Sequence, residues 1–114
     1  MAEEKINPIR LTSEDGTVYT LEFSARTVKE AERAGLRIGE VTDMPMTMIP
    51  LLFFYSFKMH HPTIKFSTTD AIINGWGGVL NIPEEVQARL IDLYAAPFEQ
   101  AAGDSPNVKV TVEM

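Results

Sequence analysis

The chain has 114 residues, of which 45% are apolar, 23% are charged and fourteen are Gly or Pro, which suits one packed domain and excludes a collagen-like or disordered composition. Cysteine is absent, so disulfides, thiolate metal sites and cysteine nucleophiles are excluded, and nothing calls for an oxidising compartment. Ten basic against sixteen acidic residues give a net charge of −6. An acidic domain repels a phosphate backbone, so nucleic acid is a poor partner.

The charge is uneven. Residues 1–43 hold six basic and nine acidic side chains. Residues 44–66 hold only Lys58 and Lys65 and no acid, and residues 67–114 hold two basic and seven acidic side chains. The middle is therefore apolar and mildly positive between acidic flanks, as a buried helix or a partner surface would be. The acidic N-terminus, Met1-Ala2-Glu3-Glu4-Lys5, lacks the apolar run of a signal peptide. The apolar stretch 44–57 is too short to span a bilayer, which takes about 20 residues. The expected location is the cytoplasm, with no membrane partner.

Ile9 and Leu11 alternate with polar residues, as do Tyr19, Leu21 and Phe23, which predicts two half-buried strands within residues 7–23. Ser13-Glu14-Asp15-Gly16 joins them, and Asp-Gly is the chemistry of a tight hairpin turn. Thr27-Val28-Lys29-Glu30 reads as a capping box opening a short helix to about Ala34, with Gly35 closing it. A second helix is predicted from Asp43, as N-cap, to His60, with Pro45 in its first turn and a kink or restart at Pro50. Met46, Ile49, Phe53 and Phe57 share one stripe, and Met48, Leu52, Tyr55 and Met59 a neighbouring one. A helix so apolar on several sides is either central to the domain or completed by another chain, which leaves room for a homo-oligomer.

Pro62 stops that helix, and Ser67-Thr68-Thr69-Asp70 starts a short one that Asn74-Gly75-Trp76-Gly77-Gly78 breaks. Asn81-Ile82-Pro83-Glu84 predicts the last helix, capped by Asn81. Its apolar face is Val86, Leu90, Leu93, Tyr94, Pro97, Phe98 and Ala101, with Pro97 bending or ending it. The helical region so read covers about residues 27–102. Gly103 to Pro106 reads as a turn, and Val108, Val110 and Val112 alternate within 107–113 as a returning strand or a frayed tail. The predicted architecture is α+β: a single domain of residues 1–114, with an N-terminal hairpin, and a C-terminal strand if it forms, packed on three to four helices.

No catalytic constellation emerges. His60 and His61 are adjacent and point about 100° apart on a helix, which suits the negative end of a helix dipole better than a shared metal. The glycines around Trp76 lack a phosphate-loop pattern. Ser67-Thr68-Thr69-Asp70 has no base beside it. Glu84-Glu85 suits the first turn of a helix. The expectation is a non-enzymatic protein without metal or cofactor. Phe54, Lys58 and His61, at i, i+4 and i+7, are the residues expected at the surface of the aromatic helix, and the single tryptophan, Trp76, is either a packing anchor or a partner anchor.

The order of segments carries a family likeness. It runs from Tyr19-Thr20-Leu21-Glu22-Phe23 through 26–32 (RTVKEAE) and 46–62 (MTMIPLLFFYSFKMHHP) to Thr69-Asp70, Gly77-Gly78-Val79-Leu80, 89–94 (RLIDLY) and Pro97-Phe98. This order resembles the small tail assembly chaperone-like proteins of siphophages and prophages of Gram-positive bacteria. The likeness covers roughly Val18 to Phe98, and the aromatic helix ending in Met59-His60-His61-Pro62 is its most specific part. The resemblance implies a protein that coats the phage tape-measure protein while the tail tube polymerises and then leaves, in some cases with a longer frameshifted form. It carries over no catalytic residues. Alternatives are a structural tail or head–tail component that stays in the particle, and a small acidic inhibitor or antitoxin-like binder. Methionines 44, 46, 48 and 59 around Phe53, Phe54 and Phe57 suit either a core or a tolerant binding surface.

Overall fold

The computed structural model describes residues 7–103, with side chains described to Phe98. Strands β1 (Ile9–Thr12) and β2 (Val18–Leu21) form an antiparallel hairpin. Ile9 faces Leu21 and Leu11 faces Tyr19 across it. At the turn Gly16 takes φ +91°, the left-handed conformation that glycine supplies without strain. Asp15 accepts bonds from the Ser13 hydroxyl and the Thr17 amide, which hold its carboxyl down to about 2.

Helix α1 (Ala25–Arg33) begins two residues before the expected cap. Ser24, not Thr27, is the N-cap: its hydroxyl accepts from the Thr27 amide at 3.2 Å, and the Thr27 hydroxyl accepts from the Ser24 amide at 2.9 Å. Thr27 thus answers as the third helical residue of the box, the place where a Glu or Gln is usual, and Glu30 is left to pair with Arg26. Ser24→Ala should cost about 1 kcal/mol of stability, read as an earlier urea midpoint with unchanged slope. The C-terminal end is as expected. Gly35 takes φ +111° and donates to the Glu32 carbonyl, and Leu36 donates to the Ala31 carbonyl. Leu36 and Ala31 are both buried, which supplies the apolar contact of this termination motif.

Helix α2 (Pro45–Phe57) follows a 3₁₀ turn at Ile38–Glu40. Met44 precedes it with no side-chain cap, so Asp43 does not cap it. Pro50 causes no restart; the helix is one element. The bond its nitrogen cannot make would go to Met46, in the exposed first turn. Met48, Ile49, Leu52, Phe53, Ser56 and Phe57 are buried, whereas Met46, expected on the core stripe, is 65% exposed. As expected of so apolar a helix, α2 is central. It packs on α1, on β2, on helices α3 (Phe66–Gly75) and α4 (Glu84–Gly103), and on both 3₁₀ turns, the second being Val79–Asn81.

The helix stops at Phe57 rather than His60 because the hairpin competes for its carbonyls. The Ser56 carbonyl, which His60 would use in a longer helix, accepts the Glu22 amide at 2.8 Å. His60 and His61 both bond to the Phe57 carbonyl instead. Pro62 adds its own disfavour of helix at His61. The outer edge of β2 is thereby tied to the end of α2, which closes an edge that would otherwise be open to pairing.

α3 ends where the glycines break it: Gly77 and Gly78 take φ +103° and +113° and return bonds to Asn74 and Ile73. Asn81 does not cap α4: it closes the second 3₁₀ turn, three residues before the helix begins, and its side-chain amide donates to the Gly77 carbonyl at 2.9 Å. Pro83 stands just before the helix, and its carbonyl accepts from Val86 and Gln87. Pro97 does not end α4, which runs to Gly103, and the turn expected over 103–106 lies beyond that residue outside the described residues. Leu90, Leu93, Tyr94 and Pro97 are buried as expected, but Phe98 is 52% exposed. The sheet among the described residues has two strands, and the expected C-terminal strand at 107–113 lies outside them.

Candidate functional site

The candidate site is the outer edge of α2. Leu51, Phe54, Tyr55 and Lys58 recur at i, i+3, i+4 and i+7, which places them on one side of the helix, and all four are half-buried. This strip lies between α1 and α3. On the α3 side the Phe54 ring meets Phe66 edge-on at 5.4 Å, and it also meets Tyr55 at 4.9 Å. Phe66 itself is 44% exposed. On the α1 side Tyr55, Lys58 and Met59 face Ser24, Arg26 and Thr27 across a groove of about 660 Å³.

The Lys58 ammonium sits 5.4 Å from the centre of the Phe54 ring and donates to the Pro62 carbonyl at 2.8 Å. It is held in place while its charge remains at the rim. Arg26, the other cation on the groove, is exposed and engages Glu30 at 3.4 Å, a surface pair worth little. An aromatic strip with a fixed cation, on a chain of net charge −6, is chemistry for holding an apolar helix, with methionine at the margin to tolerate variation.

Of the four candidate residues, the fold brings Phe54 and Lys58 together and places the other two elsewhere. His61 leaves the stripe because the helix has ended before it. Its Nε2 accepts the Thr20 amide of β2 at 3.0 Å, and its ring packs on Tyr19 at 5.4 Å. Trp76 packs edge-on against the buried Phe53 ring at 5.8 Å, on a different face of α2 from Phe54, and remains half-buried. Leu51 and Phe66 belong to the site and were not singled out from sequence. The spacing 51–54–55–58 carries a signal for the first. Nothing local carries one for Phe66, which the chain brings back through the bend after Pro62.

The two histidines clasp the hairpin rather than meet at a common ligand. His60 Nε2 lies 2.8 Å from the Glu22 carboxylate. Among the described residues no group of three or more metal-ligating side chains converges. His61 can accept the Thr20 amide only when Nε2 is unprotonated. Burial, and then the neighbouring His60, lower its pKa below the ordinary 6.5. A group whose folded pKa is depressed contributes stability that is fully present above the unfolded value. That contribution should therefore be lost as pH falls below 6.5 and through the lower folded value. His61→Gln, whose amide oxygen can still accept, should remove this component of the slope between pH 7 and 5. Urea midpoints across that range test it, and an unchanged slope in the variant would show that His61 is not the titrating group.

No described helix is long and apolar enough to cross a membrane. The search of curated proteins and the search of solved structures returned no match. The family model described as Domain of unknown function (DUF5055) matches residues 1–114, and the chain belongs to that family.

Proposed function

We propose that this protein is a non-enzymatic tail assembly chaperone that binds the phage tape-measure protein in the host cytoplasm before the tail tube closes around it. The likeness in segment order, from Tyr19 to Phe98, supplies the identity of the partner. The observation that carries the binding role is the half-buried strip of Leu51, Phe54, Tyr55 and Lys58, continued by the exposed Phe66 and Met59. Tape-measure chains are long and helical and expose apolar stripes until assembled. A strip of aromatic and methionine side chains flanked by two helices holds such a stripe without demanding one sequence.

The alternative is a structural tail component, and particle composition separates the two. Mass spectrometry of purified virions should find the major tail and tape-measure proteins and none of this chain. Its presence at fixed copy number would replace the chaperone reading with the structural one.

A further inference from the structure

We propose that the outer edge of β1 is the docking site of a segment of this same chain, residues 110–113, which add to the hairpin as a third strand. The proposal is independent of the tape-measure reading. The two edges of the hairpin are unlike. Thr20 and Glu22 direct their amides off the outer edge of β2, where the His61 ring nitrogen and the Ser56 carbonyl accept them at 3.0 and 2.8 Å. Thr20 faces Arg10, so the backbone groups of this pair point away from each other. Arg10 and, two residues on, Thr12 therefore direct their amides and carbonyls off the outer edge of β1. Among the described residues, none of these four groups has a backbone partner. One edge is thus closed and the other is a row of open donors and acceptors, the template on which an added strand pairs. A hairpin of two strands is marginal by itself and gains from a third.

Side-chain alternation and reach name the occupant. Ile9 and the half-buried Leu11 line, with Val86 of α4, a groove of about 340 Å³ beside this edge. Its charges, Arg10 and Arg89 against Glu85, select no partner. Arg10 and Thr12 lie on the other, exposed side of the strand. A fitting strand is apolar at every second position and polar between. Residues 107–113, outside the described residues, read Asn-Val-Lys-Val-Thr-Val-Glu, and valine and threonine suit a strand. Whichever way the strand runs, opposite residues share a face. A register that sets Val110 and Val112 on the side of Ile9 and Leu11 keeps Thr111 and Glu113 on the side of Arg10 and Thr12, and a slip of one residue would turn both valines to solvent. The chain is long enough. Arg89 precedes the end of α4 by fourteen residues, about 21 Å of helix, and residues 104–110, extended, span about 24 Å. A four-residue edge is too small to hold two copies of net charge −6 together. A tethered segment instead meets it at an effective concentration on the order of millimolar.

Amide hydrogen exchange of the full chain, read residue by residue by NMR, tests this. The Arg10 and Thr12 amides should exchange at least about tenfold more slowly in the parent than in a chain carrying Val110→Asp and Val112→Asp. Thr111→Lys, on the opposite side of the added strand, should leave both rates as in the parent. Circular dichroism should show both variants folded, since neither alters a residue of the described core. Equal Arg10 and Thr12 rates in the parent and the double variant would overturn the proposal. So would an acceleration by Thr111→Lys as large as that by the double variant, because a strand with one apolar side is sensitive on that side. Protection that survives the double variant and rises with protein concentration would overturn it too, and would give the edge to a second copy.

Discussion

Phe57→Ala should destabilise the protein by about 3–5 kcal/mol, the cost of removing a buried phenyl ring and leaving its cavity. Its ring is fully buried and meets Phe53 edge-on at 5.0 Å and Tyr19 at 5.4 Å. It is therefore the point where the central helix grips the hairpin. The same residue's carbonyl takes the amides of His60 and His61, so collapse around the cavity also disturbs the turn that clasps β2. Since domains of this kind are stable by about 5–15 kcal/mol in total, the variant should be largely unfolded in mild urea. Equilibrium unfolding checks this. Met46→Ala on the same helix, where the side chain is 65% exposed, should stay within about 0.5 kcal/mol of the parent. A Phe57→Ala loss no larger than that of Met46→Ala would show that the hairpin and α2 are not held by this contact.

Phe54→Asp should have the opposite profile: folding kept, partner binding lost by at least 100-fold, about 2.7 kcal/mol. Phe54 is half-buried, so the substitution forfeits contacts with Tyr55 and Phe66 but empties no enclosed cavity. The new carboxylate also stands four residues before Lys58, where it can form a helix-surface pair in place of the cation–ring contact. Toward an apolar guest helix the same change is severe, because a charge would be buried at the centre of the strip without a partner. Circular dichroism should be that of the parent, while pull-down of the tape-measure protein fails. If the variant unfolds instead, Phe54 is a core residue and the strip is not a binding surface. If it folds and binds normally, the partner uses another face.

The hairpin was legible because two independent local signals agree there, the alternation at Tyr19, Leu21 and Phe23 and the Asp15-Gly16 turn. The end of α1 was legible for a similar reason, since Gly35 is placed where the left-handed residue must fall. The start of α1 was not. Two overlapping boxes compete, Ser24 with Thr27 and Thr27 with Glu30, and the more familiar acidic form misled. The end of α2 was hidden because a remote strand decides it: Glu22 claims the Ser56 carbonyl across thirty-odd residues. Asn81 misled because the chain makes a 3₁₀ turn there and α4 begins only at Glu84. Of the candidate site, Phe54 and Lys58 share an edge that helical spacing anticipates. His61 was drawn onto that edge only by extending the helix past its true end. Competition for hydrogen bonds, local at the start of α1 and tertiary at the end of α2, accounts for both helix boundaries that were missed.

On the proposed function, this chain holds a long helical partner through the α2 strip. The most direct test is co-expression with a phage tape-measure protein, followed by affinity capture and size exclusion with mass measurement. The expected result is a soluble complex carrying many copies of this chain per partner, absent when Phe54→Asp is expressed instead. A partner that remains insoluble, with this chain eluting alone, would contradict it.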